Sequence, residues 1–161
     1  MIDEEGYRAN IGIILANSRG EVFWGKRIGQ DAWQFPQGGM QKGESPQDAL
    51  YRELDEEIGL APEHVSVLGQ TQDWLRYDLP KPLIRYYSKP VCIGQKQKWF
   101  CLRFVGDEAD IKLDSAAQPE FDDWRWVDYW HPLDQVIAFK QDVYRQALKA
   151  FADIVTPTPE S

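Results

Sequence analysis

The most constraining part of the sequence is a helix signal at residues 46–58 that carries crowded negative charge. Ser45 is typical of a helix N-cap, and Gly59 is typical of the residue that ends a helix in the left-handed conformation. Inside this helix three glutamates at positions i, i+3 and i+4 fall on one face: Glu53, Glu56 and Glu57. Like charges at this spacing destabilise a helix, so a positive group must offset them. A hard divalent cation with oxygen ligands is a natural candidate.

An apolar stripe on the same helix indicates which side faces the core. Leu50, Leu54 and Ile58 recur every four residues. The glutamates occupy the adjoining stripe, so the helix is anchored by one side and presents carboxylates on the next. The alternative interpretation of the glutamates is a solvated acidic face with no ligand.

Length and composition predict one folded domain. The chain has 161 residues, of which 43% are hydrophobic. We expect the domain to cover residues 1–155 and residues 156–161 to form a frayed tail. No apolar run reaches the roughly 20 residues of a membrane span, and the acidic N-terminus lacks signal-peptide features. Two cysteines do not make a disulfide scaffold, so Cys92 and Cys101 are expected as free thiols in a cytoplasmic protein.

Charge is distributed unevenly along the chain. The net charge of −8 argues against sequence-independent binding of duplex DNA, which depends on many cationic contacts to phosphates. Residues 74–104, however, hold seven basic residues and one acidic residue. This basic segment can hold a polyanion beside a metal-loaded acidic site, whereas the simpler interpretation is a solvated surface of mixed charge.

The rest of the chain favours strands, with a second helix at the end. Apolar and β-branched stretches predict a hairpin of residues 11–16 and 21–27 and further strands at residues 33–35, 65–71, 90–94, 99–105 and 124–127. The polar residues 95–98 are expected to form a turn. A pairing centred on that turn would set Cys92 near Cys101, and the sequence does not establish the register. Residues 74–89 are expected to be loop-rich, and residues 133–154 to form the last helix. This order predicts an α/β fold with a mixed β-sheet and helices packed on its faces.

The three glutamates have the chemistry of a Mg²⁺ site. Mg²⁺ prefers oxygen ligands and combines carboxylates with water and substrate phosphates. Carboxylates one helical turn apart can bridge two ions, as in two-metal phosphoryl-transfer sites. Gly38 lets the loop backbone approach a metal or a phosphate closely. Arg52 is placed to pair with Glu44 and with Glu56, which orients the carboxylates.

The residues around this helix match a known family pattern. The segment from residue 38 to residue 60 resembles the Nudix box, Gly-x5-Glu-x7-Arg-Glu-U-x-Glu-Glu-x-Gly-U with U aliphatic. The fixed positions are Gly38, Glu44, Arg52, Glu53, Leu54, Glu56, Glu57, Gly59 and Leu60. The resemblance implies an α/β/α sandwich with the box as loop–helix–loop. It also implies hydrolysis of nucleoside diphosphates linked to another group, with two or more Mg²⁺ ions for which Mn²⁺ or another divalent ion can substitute.

Further stretches narrow the resemblance within this family. The sequence at residues 6–10, 33–39, 74–77, 89–100, 119–122 and 139–140 is similar to bacterial members that act on the 5′-triphosphate or diphosphate end of RNA. Those members leave a monophosphate, which promotes mRNA decay. One position departs from the pattern, because Ala32 stands where the family often has a serine before Trp33.

The resemblance also implies roles for individual residues. It implies that Mg²⁺ is bound by Glu53, Glu56, Glu57 and Glu120, and that Glu53 is the favoured general base. Phosphates are expected to contact Arg27, Tyr77 and Lys140. Arg8 and Phe139 are expected to stack on a base, and Gln95, Val136 and Ile137 to line a base pocket. Arginine and aromatic planes are common stacking partners for unpaired bases, and lysine is an effective point charge for phosphate.

Two other functions remain open at this point. A dinucleoside polyphosphate hydrolase needs the same metals, a base pocket and a phosphate track, so the sequence separates it poorly from an RNA-directed enzyme. A non-catalytic nucleotide-binding Nudix module is expected to lose carboxylates of the box, and this chain keeps them. A protein activator is not readable from the sequence.

Overall fold

One mixed β-sheet forms the centre of the molecule. The computed structural model describes residues 2–155, and these contain a sheet of eight strands. The strands are β1 (Tyr7–Ala16), β2 (Val22–Arg27), β3 (Trp33–Gln34), β4 (Gln37–Gly39), β5 (Val65–Gln70), β6 (Leu75–Asp78), β7 (Gly94–Phe104) and β8 (Phe121–Val127). The main path runs β3–β2–β1–β7–β5, while β4 pairs with β1, β6 with β7 and β8 with β2. The predicted mixed sheet is therefore confirmed.

The long strands β1 and β7 hold the sheet together. They pair in parallel from Tyr7 opposite Gly94 to Ala16 opposite Arg103. Because successive side chains of a strand point to opposite faces, β1 contributes to two cores. Ile11 and Ile13 lie in one core and Ile14 in the other, all without solvent exposure.

Helices cover both faces of this sheet. They are α1 (Pro46–Ile58), α2 (His131–Gln135) and α3 (Gln141–Phe151). Leu50, Leu54 and Ile58 of α1 are fully buried in one core, and α3 buries Val143 and Tyr144 in the other. This is the layer order of an α/β/α sandwich, as expected.

The α1 boundaries agree with the sequence signals. The Ser45 side chain accepts a hydrogen bond from the Asp48 backbone N–H at 3.1 Å, and the Asp48 side chain accepts one from the Ser45 N–H. Gly59 ends the helix with φ of 70°, a conformation that favours glycine. The helix that carries the glutamates is thus fixed at both ends by local interactions.

The predicted turn at residues 95–98 is wrong, because β7 runs through it without a break from Gly94 to Phe104. Alternation explains the error. Gln97 is buried and donates to Asn10 Oδ1 at 2.8 Å, whereas Lys96 and Lys98 point to the other face. A polar stretch can therefore continue a strand when its neighbours satisfy it. Cys92 and Cys101 are consequently not brought together across a hairpin, and both thiols are free, as predicted.

The predicted last helix is also wrong in its extent. α2 ends at Gln135, Val136 and Ile137 are extended, and a 3₁₀ turn at Ala138–Lys140 leads into α3. Two consecutive β-branched residues weaken helix propensity at this point. After this break, Phe139 and Lys140 line a cleft beside the sheet.

Residues 74–89 are loop-rich, as expected, apart from the short strand β6, which pairs with β7. The predicted strand at residues 90–94 is wrong, because only Gly94 of this stretch belongs to a strand. The predicted frayed tail at residues 156–161 lies outside the described residues. Within residues 2–155, no helix is long and apolar enough to span a membrane.

Candidate active site

Four glutamates and a glycine meet in one cleft, which we call the acid cleft. It has a volume of about 200 Å³ and lies between α1, β4 and the segment that precedes β8. The predicted site residues that line it are Gly38, Glu53, Glu56, Glu57 and Glu120. Residues far apart in sequence therefore come together where the predicted metal site requires them.

Burial makes two of these carboxyls weaker acids than usual. Glu53 and Glu57 are only 7% and 4% exposed. Burial raises the pKa of Glu53 above its usual value, although Arg52 partly opposes the effect. Burial raises the pKa of Glu57 still further, and the neighbouring charges of Glu53 and Glu120 add to it. The Glu57 Oε2 atom has no hydrogen-bond partner, so it is an available acceptor in the cleft.

Arg52 supplies the positive charge that lets these acids fold side by side. Its Nε and Nη2 atoms bind the two Glu44 oxygens at 2.7 and 2.9 Å, and Nη1 contacts Glu53 at 2.7 Å and Glu56 at 3.3 Å. Nη2 also donates to the Gly39 carbonyl at 2.8 Å. The Arg52 guanidinium lowers the pKa of Glu44 to about 2. The predicted pairing of Arg52 with Glu44 and Glu56 is confirmed.

Gly38 is required because Glu53 occupies the space where a side chain would stand. A Cβ atom built on Gly38 lies 2.0 Å from Glu53 Cδ and 2.2 Å from its Oε1. Such distances are not tolerated, so any other residue displaces the carboxyl. The β4 backbone and the Glu53 carboxyl are thereby held against each other.

The acid cleft fits a divalent cation in its chemistry. Four carboxylates, one with an orphaned buried oxygen, form an oxygen-rich donor set of the kind that Mg²⁺ prefers. Within residues 2–155, however, no three His, Cys, Asp or Glu side chains are already grouped as a complete metal site. In this arrangement Arg52 binds Glu53 and Glu56. A cation has to compete with Arg52 for those two carboxylates.

A second and larger cleft lies on the α3 side of the sheet, and we call it the cationic cleft. Its volume is about 570 Å³. The predicted phosphate and base contacts that line it are Arg27, Val136, Ile137, Phe139 and Lys140. Sequence reasoning missed Arg125, whose guanidinium lies 4.6 Å from the ring centre of Trp33 in the same cleft. The alternation of side chains along β8 would identify Arg125 as a cleft residue only if the strand that pairs with β8 were already known.

Lys140 connects the two clefts. Its side chain is buried, and its Nζ atom donates to Gln34 Oε1 at 3.3 Å and to Gln37 Oε1 at 3.4 Å. Tyr77, another predicted phosphate contact, has its ring centre 5.7 Å from Nζ. Burial and the charge of Arg27 lower the pKa of Lys140 to about 8. Gln37, which the sequence did not single out, also lines the acid cleft.

Two predicted base contacts occupy a third cleft. Arg8 and Gln95 are partners in the β1–β7 register and line a cavity of about 240 Å³, which we call the outer cleft. The Oε1 atom of Gln95 is buried there without a hydrogen-bond partner. Gln95, Val136 and Ile137 were expected to line one base pocket. In the structure Gln95 lines the outer cleft, whereas Val136 and Ile137 line the cationic cleft.

Comparison with protein-family models decides the family. The model of the NUDIX domain matches residues 6–151, nearly the whole chain. The chain belongs to the Nudix family. Of the residues in the Nudix box, Gly38, Glu53, Glu56 and Glu57 line the acid cleft, and Arg52 and Glu44 form the ion-pair network beside it.

Curated Nudix proteins resemble the chain over its full length. A protein named RNA pyrophosphohydrolase from Hahella chejuensis is 60% identical over 161 residues, with complete coverage of both chains. Another of that name from Thioalkalivibrio sulfidiphilus is 63% identical over 157 residues, covering 98% of this chain and 91% of the relative. The structure is also similar to the E. coli dihydroneopterin triphosphate pyrophosphohydrolase, with a TM-score of 0.68, 21% identity and coverage of 92% and 98%. That likeness supports the fold.

The close contact at Gly38 yields a paired test of the Nudix box. Gly38→Ala displaces the Glu53 carboxyl, and misplacement of a catalytic group by ~1 Å lowers turnover by about 100-fold. We expect that loss in kcat for a pyrophosphate-containing substrate. Gly39→Ala is the matched control, because its added Cβ meets only Ala9 O at 4.0 Å. Equal kcat for the two variants contradicts the packing argument.

The raised pKa of Glu57 predicts how the thermal stability of the protein changes with pH when a chelator keeps it free of metal. Because its folded pKa lies above the ordinary 4.5, Glu57 stabilises the fold at low pH and this contribution is lost as pH rises from about 4.5 through the folded pKa. Glu57→Gln does not titrate. Its melting temperature relative to wild type should therefore increase with pH, as followed by thermal unfolding. The exposed Glu63→Gln serves as control, and a pH-independent difference for Glu57→Gln contradicts the prediction.

Proposed function

We propose that this protein is a Mg²⁺-dependent hydrolase that converts the 5′-triphosphate or diphosphate end of RNA to a monophosphate and so promotes mRNA decay. The observation that carries the proposal is the joint at β4, where Gln37 contacts Lys140 and Gly38 faces Glu53. A phosphate chain can lie across this joint with one end at the acids and the other at the cations. Relatives about 60% identical over the full length carry the name RNA pyrophosphohydrolase.

The acid cleft performs the hydrolysis in this proposal. Its four glutamates, Glu53, Glu56, Glu57 and Glu120, hold two or more Mg²⁺ ions, with the Gly38 backbone beside them. Bound metal supplies Lewis-acid polarisation of the phosphate and lowers the pKa of water. Glu53 acts as general base, because its raised pKa lets it hold a proton taken from the attacking water. Arg52 and Glu44 position the carboxylates.

The cationic cleft binds the phosphates. Lys140 is a buried positive charge that has no carboxylate partner among the described residues, so a phosphate oxygen is a favourable partner for it. Its present contacts are neutral amide oxygens at 3.3 and 3.4 Å. Arg27 contributes a second charge, and Tyr77 lies against Lys140 and Phe139.

The bases of the RNA occupy two places. Phe139, Val136 and Ile137 give the cationic cleft an apolar wall on which a base can stack. Arg8 and Gln95 line the outer cleft, where the orphaned Gln95 oxygen can accept a hydrogen bond from a base.

The two free thiols fit a reducing compartment, and we place the enzyme in the cytoplasm.

The substrate class is tested by comparing kcat/KM for 5′-triphosphorylated RNA and for diadenosine pentaphosphate in Mg²⁺. We expect RNA to be preferred, because the consecutive bases of an RNA follow its 5′ phosphates on one side, whereas diadenosine pentaphosphate carries one base at each end of its phosphate chain. Much higher efficiency on the dinucleotide refutes the RNA assignment and favours the dinucleoside polyphosphate hydrolase.

Glu53→Gln and Glu57→Gln are the controls for that assay. Each should lower turnover strongly while the protein stays folded. Near wild-type rates in both variants indicate a Nudix module whose acid cleft takes no part in hydrolysis.

The lowered pKa of Lys140 predicts how RNA hydrolysis depends on pH. Free enzyme loses the Lys140 charge as pH rises through about 8, so kcat/KM for RNA should fall above that pH by up to tenfold per unit. Lys140→Arg keeps its charge over this range and should flatten the profile. Profiles of the same shape for wild type and Lys140→Arg contradict the assignment of Lys140 to phosphate.

A further inference from the structure

The segment between β6 and β7, residues 79–93, forms an exposed surface with unusual composition. We call it the outer loop. Leu83, Tyr86 and Tyr87 are 54%, 59% and 82% exposed, and they are among the most exposed large hydrophobic side chains of the described residues. Two neighbouring tyrosines this open to solvent contribute little to a core, and their side chains are accessible to a ligand.

The outer loop also holds the basic residues that remain available in the basic segment 74–104. Four of the seven are engaged elsewhere: Arg76 over the Tyr7 ring, Lys96 with Asp3, Lys98 over the Trp74 ring and Arg103 on the Asn17 carbonyl. The other three are Lys81, Arg85 and Lys89. They are exposed, and no ion pair or ring contact joins them to another residue in the part of the chain that the structure describes.

The outer loop is continuous with a predicted base-binding cleft. Leu83 and Arg85 line the outer cleft together with Arg8 and Gln95. A strand of nucleotides that leaves this cleft therefore meets a surface with three unpaired cations, two exposed tyrosines and no acidic residue between positions 79 and 93. The rest of the chain is acidic, with a net charge of −8 overall, so this surface is a local exception.

We propose that the outer loop binds the single-stranded RNA that follows the 5′ end, with Tyr86 and Tyr87 stacking on bases and Lys81, Arg85 and Lys89 contacting phosphates. Unpaired nucleic acid is held by this combination of aromatic platforms and cationic groups. The proposal rests on the proposed function, because the 5′ phosphates must lie at the joint for the downstream nucleotides to reach the loop. It adds a preference for longer unpaired RNA that the catalytic clefts alone do not supply.

The test compares two 5′-triphosphorylated substrates, a dinucleotide and an unstructured RNA of roughly ten nucleotides, a length within the range of single-strand binding sites. Wild type should show a lower KM for the longer RNA. The double variant Tyr86→Ala/Tyr87→Ala should raise that KM by about tenfold, with kcat unchanged and both constants for the dinucleotide unchanged. Lys149→Ala, which removes an exposed charge on α3, is the matched surface control. It should change neither kcat nor KM for either substrate.

A second variant tests the cations separately. Lys81→Ala/Lys89→Ala should weaken binding of the 5′-monophosphorylated ten-nucleotide product, measured by fluorescence anisotropy. The dependence of log affinity on log salt should become shallower by about 1.4, since each phosphate contact on a single strand contributes about 0.7. An unchanged salt slope contradicts phosphate contacts by these lysines.

The outcomes separate this proposal from the proposed function. Wild type that hydrolyses neither RNA refutes the proposed function. Wild type that hydrolyses both, with Tyr86→Ala/Tyr87→Ala indistinguishable from it on the longer RNA, refutes the outer-loop proposal alone and leaves the surface for a partner protein. A loss of equal size on the dinucleotide and the longer RNA also overturns the proposal, because it locates the effect in the catalytic clefts.

Discussion

The Arg52 guanidinium is the interaction on which the catalytic half of the molecule depends. It binds Glu44 through two nitrogens and reaches Glu53, Glu56 and the Gly39 carbonyl. The acids lie toward the C-terminal end of α1, where the helix dipole is unfavourable for negative charge and where the last turn holds no basic residue. Arg52 therefore offsets part of this negative charge from within the chain itself.

The short strand β4 connects the acid cleft to Lys140 on the other side of the sheet. Its register against β1 places Gln37 opposite Gly12 and Gly38 opposite Ile11, so the two residues face opposite sides of the sheet. Gln37 meets Lys140 on the α3 side, and Gly38 meets Glu53 on the α1 side. The acid cleft on the α1 side and the cationic cleft on the α3 side are therefore linked by two adjacent residues, Gln37 and Gly38. A polyphosphate is the kind of ligand that needs both.

Local signals in the sequence were sufficient for α1, its caps and the Arg52 pairs, because capping and i, i+4 contacts act within a few residues. They failed where distant strands decide the outcome. The polar stretch at Gln95–Lys98 continues a strand because β1 lies beside it and Asn10 satisfies Gln97. The break at Val136 and Ile137 had only a weak local signal, two consecutive β-branched residues, and the contact of Gln37 with Lys140 depends on tertiary structure. Glu120 was placed by family resemblance, since a single acid carries no local signal.

In the function proposed above, a 5′-triphosphate crosses β4 from the acid cleft to Lys140. A crystal structure with Mg²⁺ and a non-hydrolysable 5′-triphosphate RNA would locate the phosphates and the ions. We expect cations on the carboxylates of Glu53, Glu56, Glu57 and Glu120, and a phosphate oxygen within hydrogen-bond distance of Lys140 Nζ. Phosphates bound away from Lys140, or cations outside the acid cleft, contradict this proposal.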